Sequence, residues 1–148
     1  MKKFIALVLI LFFGFTLLGA DAAQKKKVKK PKIKTKVEIE TKDGFLLNGD
    51  LYFAPQKKTT RPLVVLLHSF GSRASDWGVL PESLIQRNYN DLALDLRGHG
   101  RSFYTKNFRF KSRMNFTKDD WAKYPIDVVG SIDYIKKNYP NSDANEVY

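Results

Sequence analysis

Asp95-Leu96-Arg97-Gly98-His99-Gly100-Arg101-Ser102 directly follows the apolar stretch Leu92-Ala93-Leu94 and has the form D-x-R-G-x-G-x-S. Its two glycines suit a loop with unusual backbone angles, because glycine tolerates positive φ. One helix length upstream, His68-Ser69-Phe70-Gly71 follows a second apolar run, Leu63 to Leu67. An apolar run without alternation predicts a strand that is covered on both faces, as in a parallel sheet between helices. Each motif therefore lies where a buried strand ends, the edge at which open α/β sheets bind ligands.

The segment between these two strands has the spacing of a helix. Ser75 or Asp76 is the expected N-cap, and the helix is expected to end at Arg87-Asn88. Its inner face is predicted to carry Trp77, Leu80, Leu84 and Ile85. Strand, helix and strand within about thirty residues predict a right-handed βαβ unit.

The flanking segments also show regular patterns. Upstream, Val37 to Thr41 alternates, Asp43-Gly44 is a turn signal, and Phe45 to Phe53 continues with period two, which predicts an antiparallel β-hairpin. Downstream, Thr117 is a suitable N-cap for a short helix. A further helix is predicted up to Tyr139-Pro140-Asn141, with an apolar face made of Ile126, Val128, Val129, Ile132 and Ile135. Glu146-Val147-Tyr148 is interpreted as the opening of another strand.

Asp91 does not fit the apolar pattern of a buried strand, because it lies at the start of the strand that contains Leu92. An unpaired carboxylate inside a sheet is costly, or it takes up a proton. We therefore expect Asp91 either to lie just outside the sheet or to weaken the fold.

From Val37 to Tyr148 the chain resembles the α/β-hydrolase fold family, and the form of its second motif is similar to the serine aminopeptidase-like and monoglyceride-lipase-like branch. The resemblance implies an α/β fold in which an N-terminal β-hairpin is followed by parallel βαβ units. It further implies that the Phe70 N–H is an oxyanion-hole donor. His68 is then a scaffold residue, Gly71 allows a tight approach of the backbone, and Ser69 replaces the glycine that is usual in this loop.

The resemblance gives the second motif a mostly architectural role beside the site. Asp95 and Arg97 are expected to brace the loop, Gly98 and Gly100 to give it its shape, and Ser102 to end it. The activity implied is hydrolysis of an ester or amide through a serine acyl-enzyme, without a cofactor or a metal.

No G-x-S-x-G motif, the nucleophile elbow of this fold, occurs in the chain. We therefore expect the nucleophile, acid and catalytic histidine to be missing, the fold to be truncated before the elbow strand, and the chain alone to be inactive. Ser69, Asp95 and His99 occur in the triad order of the family. However, Leu67 stands where an elbow needs glycine, and order alone does not make a triad.

Residues 1–22 have the pattern of a signal peptide: a basic start, an apolar run and the small-residue sequence Ala20-Asp21-Ala22. This predicts export to the periplasm, cell envelope or medium. An inner membrane anchor formed by residues 4–20 is the alternative, because the run is only slightly short of a spanning helix. The chain has no cysteine, which excludes disulfides and thiolate metal sites.

The formal net charge of +11 is concentrated near the N-terminus, where ten lysines and one aspartate precede Val37. We interpret residues 23–36 as a Lys-rich linker ahead of a nearly neutral domain at 37–148. The linker also offers contact with an anionic membrane surface, through Lys25, Lys26, Lys27, Lys29 and Lys30. The alternative function is therefore a non-enzymatic exported or membrane-associated protein that binds anionic lipid or nucleic acid. Nucleic acid is the less favoured partner, because no nucleic-acid motif accompanies the lysines.

Overall fold

The computed structural model describes residues 33–53, 60–140 and 142–147, and for the last range the backbone only. The predicted signal peptide and most of the Lys-rich linker lie outside the described residues. The strands are β1 Lys34–Glu40, β2 Phe45–Tyr52, β3 Arg61–Leu67, β4 Asn90–Asp95, β5 Tyr104–Thr105 and β6 Ser142–Val147. The helices are α1 Leu80–Gln86, α2 Lys118–Trp121 and α3 Tyr124–Asn138, with 3₁₀ turns at Ala74–Trp77 and Arg113–Asn115. Within the described ranges, no helix combines the length and apolar character needed to cross a bilayer.

The strands form one mixed sheet in the order β1-β2-β4-β3-β6, and β5 pairs with β2 outside that path. The predicted hairpin is confirmed, because β1 and β2 are antiparallel around the Asp43-Gly44 turn. Gly44 has a φ of 75°, and its N–H donates to the Thr41 carbonyl at 2.8 Å. β1 begins at Lys34, ahead of the alternating segment, because its backbone pairing with β2 continues to Lys34 opposite Tyr52. The Lys34 ammonium also contacts Asp50 on β2 at 3.1 Å.

The βαβ unit is also confirmed, since β3 and β4 are parallel and α1 connects them. The predicted N-cap is wrong. The chain first makes the 3₁₀ turn at Ala74–Trp77, and α1 begins only after Gly78, with Val79 as N-cap and Pro81 in the first turn. Because the helix starts late, Pro81 and Ile85 are its buried residues, whereas Leu80 is exposed.

Two hydrophobic cores cover the two faces of the sheet. One lies on the α3 side and joins Ile39, Leu47, Leu51, Leu63, Leu92, Leu94 and Ile135. The other lies on the α1 side and contains Tyr52, Leu66, Ala74, Ile85 and Ala93. The face that α3 buries consists of Asp127, Ser131 and Ile135, so the prediction that Val129 lies on the inner face is wrong. The ion pair of Asp127 with Arg97 determines this orientation of the helix.

The strand expected to open at Glu146 begins earlier, at Ser142, and β6 runs parallel to β3 from Arg61 to Leu63. Its first residues, Ser142 to Asn145, lack an apolar alternation. Strand pairing uses backbone groups, and a partner already in place can recruit a polar segment that no sequence pattern identifies.

Candidate functional site

The two sequence motifs lie side by side, because the carboxyl ends of neighbouring parallel strands meet at one edge of the sheet. His68 connects them. Its Nε2 accepts the N–H of Leu96 at 3.1 Å, and its Nδ1–H donates to the Ser69 carbonyl at 2.8 Å. The buried imidazole is thereby held in one orientation and links the loop after β3 to the loop after β4.

Phe70 lies at the open side of this edge. Among the described residues, no group accepts a hydrogen bond from its N–H, and its side chain is 74% exposed. The ring contacts His99 and Trp121, with centroid distances of 5.8 and 5.7 Å. The following residue, Gly71, has a φ of 83°. The loop therefore presents a free backbone donor at the position where the resemblance to α/β-hydrolases implies one.

Asp95 fastens both loops to the sheet. One carboxylate oxygen accepts the N–H of Ala74 at 2.6 Å, and the other accepts Arg101 Nε at 2.7 Å. The Arg101 guanidinium continues to Asp50 on β2 at 3.1 Å. Asp95 is thus committed to architecture, because it links the segment after β3 to the loop after β4.

Gly100 is required by this arrangement for two reasons. Its φ is 53°, and a Cβ at this position would lie 2.2 Å from a carboxylate oxygen of Asp95. Gly98 is similarly confined, because its φ is 69° and a Cβ at this position would lie 2.6 Å from the backbone nitrogen of Arg113. Gly100 therefore allows the loop to fold back over the Asp95 carboxylate, and Gly98 allows it to pack against the Arg113 backbone and the Phe116 ring.

We expect Gly100→Ala to lower the free energy of unfolding by about 2 to 3 kcal/mol, because it adds left-handed strain and displaces Asp95 from Ala74 and Arg101. Gly78→Ala is the control for strain, since Gly78 also has positive φ but has no atom within 4 Å of a Cβ. Urea unfolding followed by circular dichroism measures both. Equal losses in the two variants would show that the contact with Asp95 is unimportant.

Arg97 lies almost completely buried between two carboxylates. Its Nε donates to Asp127 on α3 at 2.9 Å, and its Nη1 donates to Asp43 in the β1–β2 turn at 2.9 Å. Although partial burial opposes it, hydrogen bonding from Arg97 and Thr41 lowers the pKa of Asp43 to about 2. Arg97 thus ties the hairpin and α3 to the loop after β4.

Ser102 ends the loop as a fully buried residue. Its hydroxyl donates to the Asp95 carbonyl at 2.7 Å and accepts the N–H of Asn48 at 2.8 Å. A hydroxyl engaged in this way inside the sheet is not available to attack a substrate.

The structure does not assemble the internal triad of Ser69, Asp95 and His99. The Ser69 hydroxyl contacts Ser72 at 3.2 Å, Asp95 is occupied by Ala74 and Arg101, and His99 Nδ1 faces the Arg97 carbonyl at 2.9 Å. Burial lowers the pKa of His99, and its Nε2 has no hydrogen-bond partner in the described residues. No cluster suited to a metal ion occurs in the described part of the chain.

Two of the residues that hold this edge, Asp43 and Asp127, are not identified by any motif in the sequence. The sequence marks Asp43 only as a turn residue, and Arg97, the hydrogen-bond partner of Asp127, lies thirty positions upstream. The available signal was the position of Asp127 between Ile126 and Val128, both on the predicted apolar face, because a charge buried on such a face is normally paired.

Asp91 lies inside the sheet, so the expectation that it might fall outside is wrong. It is fully buried in β4, and neither carboxylate oxygen has a hydrogen-bond partner among the described residues. Burial, with a smaller effect of Glu82, raises the pKa of Asp91 to about 8. The group is therefore protonated and neutral near pH 7.

No family model matches the chain, and no curated protein matches it significantly. Solved structures do match. An esterase from Pyrococcus furiosus is 25% identical with a TM-score of 0.52, over 74% of this chain and 36% of that chain. DcsB, solved in complex with its substrate analogue, is 19% identical with a TM-score of 0.61, over 77% of this chain and 35% of that chain. An epoxide hydrolase from an endophytic Streptomyces is 20% identical with a TM-score of 0.53, over 71% of this chain and 27% of that chain.

The chain has the α/β-hydrolase fold. It spans about a third of the length of the α/β-hydrolase structures that it matches. These include both esterases and epoxide hydrolases, so they support a hydrolase-like α/β-hydrolase fold without selecting a branch.

Proposed function

We propose that this chain forms the N-terminal part of a serine hydrolase that cleaves an ester or amide through an acyl-enzyme. The observation that carries the proposal is the free N–H of Phe70, on a loop that His68 and Asp95 hold at the carboxyl edge of the sheet. A preorganised backbone donor at such an edge stabilises the negative charge that develops on a carbonyl oxygen during acyl transfer.

The position of β6 supports the same proposal. β6 is parallel to β3 and reaches the level of Leu63, so its direction leads toward the loop that holds Phe70. In an α/β-hydrolase the nucleophile elbow follows such a neighbouring strand, and its backbone supplies the second oxyanion donor. We propose that the nucleophile, the acid and the catalytic histidine come from sequence beyond Tyr148. The 148-residue chain alone is then inactive.

The resemblance to the serine aminopeptidase-like and monoglyceride-lipase-like branch favours a small ester or amide as substrate. This finer assignment rests on the D-x-R-G-x-G-x-S form of residues 95–102. Fold alone does not select a substrate, so the choice between ester and amide requires assays of both.

In the complete hydrolase we expect Phe70→Pro to lower turnover by about 10²- to 10³-fold, because proline has no N–H to donate to the oxyanion. Phe70→Ala is the matched control, since it removes the same ring and keeps the donor. Turnover of a nitrophenyl ester measures both, and labelling by a fluorophosphonate probe reports the nucleophile. Equal activity of the two variants would show that the Phe70 N–H is not an oxyanion donor. Separately, labelling of the 148-residue chain at Ser69 would contradict the proposal that this chain lacks the nucleophile.

We also propose that the protein is exported and cleaved after Ala22, on the pattern of residues 1–22. N-terminal sequencing of protein recovered from the cell envelope is expected to begin at Ala23. Recovery of the chain from the inner membrane with Met1 intact would instead favour an anchor formed by residues 4–20.

A further inference from the structure

One segment beside the candidate site has an unusual composition. From Ser102 to Lys118 the chain contains five basic residues, five aromatic residues and no acidic residue. Within it, residues 103–111 fold back on themselves, and we call this part the basic finger. Tyr104 bridges to Phe110, Thr105 N–H donates to the Arg109 carbonyl at 3.1 Å, and Lys111 N–H donates to the Phe103 carbonyl at 2.7 Å. The finger is therefore an ordered hairpin, attached to β2 through β5.

Phe108 forms the tip of the finger. Its side chain is 85% exposed, and its ring packs against no other ring in the described part of the chain. Its φ is 56°, a left-handed conformation that is sterically unfavourable for a bulky residue. The fold would be served better by glycine at this position. The ring thus has no packing role that explains its presence in a strained turn.

The charges around the finger are mostly positive. A cleft of about 280 Å³ between the finger and the Asp43-Gly44 turn is lined by the basic residues Lys106, Arg109, Lys111 and Lys123. Three of these make ion pairs, Lys106 with Glu40, Lys111 with Asp120 and Lys123 with Asp43. Arg109 has no ion pair within the described residues, so its charge faces solvent next to Phe108.

We propose that the basic finger docks on an anionic phospholipid bilayer, with the Phe108 ring in the acyl boundary and the Arg109 guanidinium on a lipid phosphate. An exposed ring at the tip of a basic hairpin matches a membrane surface, where the apolar acyl region lies beneath a layer of anionic headgroups. The sequence supplies a second membrane signal that remains after cleavage at Ala22, the run of lysines between Lys25 and Lys36, and stable association requires two such signals. A single-stranded nucleic acid fits less well, because Phe110 packs against the rings of Phe103 and Tyr104 instead of leaving separate platforms for successive bases. This proposal does not depend on the proposed hydrolase activity.

The chain has no cysteine, so one introduced thiol can be labelled without further changes. We would replace Phe108→Cys in the full chain, attach a polarity-sensitive nitrobenzoxadiazole dye, and add vesicles of phosphatidylcholine with or without about 30% phosphatidylglycerol. The control is Lys137→Cys near the end of α3, which leads to the start of β6 and so lies at the opposite edge of the sheet. We expect a blue shift and quenching by spin-labelled lipid at position 108, with anionic vesicles only, and no change at position 137.

Charge reversal tests the role of Arg109. In the Phe108→Cys background we expect Arg109→Glu to weaken the response to anionic vesicles by about tenfold or more. Arg87→Glu makes the same charge change after α1, at the amino edge of the sheet, and is expected to have little effect. Circular dichroism verifies that all variants remain folded.

Four outcomes would overturn the proposal. Sedimentation with anionic vesicles while the dye at position 108 stays in water would show that the N-terminus binds alone. Equal shifts with neutral and anionic vesicles would exclude the charge contribution. A shift that grows with protein concentration without lipid would indicate a second copy as the occupant. A shift on adding a single-stranded oligonucleotide, without one on adding vesicles, would indicate nucleic acid.

Discussion

The free energy of unfolding is expected to fall as the pH rises from about 4 to about 8, and Asp91 is the cause. In the folded chain this carboxyl is fully buried without a hydrogen-bond partner in the described residues, and burial raises its pKa to about 8. In the unfolded chain it titrates near 4. Between these values the folded state holds a proton that the unfolded state has released. The stabilising contribution of the Asp91 proton is therefore fully present below about pH 4. It is lost as the pH rises through 8, and the contribution of this group does not change further at higher pH.

The effect is large, because each tenfold change in proton-binding affinity corresponds to about 1.36 kcal/mol, which gives an upper limit on the order of 5 kcal/mol. Asp43 and Asp120 act only at more acidic pH, since their pKa values are lowered to about 2. Burial also raises the pKa of Asp127, which adds to the slope, and lowers the pKa of His99, which opposes the slope below about pH 6.5. Urea unfolding at pH 5, 6.5 and 8 measures the slope.

Asp91→Val removes the titrating group and supplies a β-branched side chain suited to a strand. We expect this variant to be more stable than the parent at pH 8 and to lose most of the slope. Asp133→Val is the control, because it removes an exposed carboxylate from α3. If the parent and Asp91→Val have the same pH dependence, another group is responsible.

Replacing Arg97→Met is expected to cost about 3 to 5 kcal/mol, enough to abolish cooperative unfolding in a marginally stable chain. The side chain is 1% exposed and neutralises Asp127, which is itself fully buried. Without the guanidinium, Asp127 is an unpaired charge in the core, and Asp43 loses two hydrogen bonds.

Arg109→Met is the matched control, because it makes the same change at an exposed position without an ion pair in the described residues; we expect a loss below about 0.5 kcal/mol. A double variant, Arg97→Met with Asp127→Leu, separates the cost of a buried lone charge from the cost of the lost contacts. It is expected to be more stable than Arg97→Met alone, because replacing both partners removes the unpaired charge. If the double variant is no more stable than Arg97→Met, the buried charge is not the source of the loss.

Much of the framework was predictable, because it depends on local patterns. The alternation after Val37, the Asp43-Gly44 turn and the unbroken apolar runs at Leu63 and Leu92 each reflect how many faces of a strand are buried. Thr117 is the N-cap of α2, as its residue type predicts, and the structure adds reciprocal hydrogen bonds with Asp120. In each case the deciding groups lie within a few residues of one another.

The start of α1 and the buried face of α3 were less predictable. The helical pattern after Ser75 included Gly78 and Pro81, but the pattern alone did not show that the chain makes a 3₁₀ turn first and begins α1 only after Gly78. On α3 the hydrophobic pattern pointed to Val129, whereas the ion pair with Arg97 turns Asp127 inward. A charge buried against a partner thirty residues away outweighs a local apolar preference.

The sequence by itself determined the hairpin, the parallel βαβ unit and the two motifs at the strand ends, because periodicity and glycine placement act over short distances. Only the tertiary structure decided that Asp95 and Arg97 tie together separate segments, that Ser142 begins a strand, and that Asp91 is buried as a neutral acid. The physical reason is that pairing, burial and proton affinity depend on neighbours brought from distant parts of the chain.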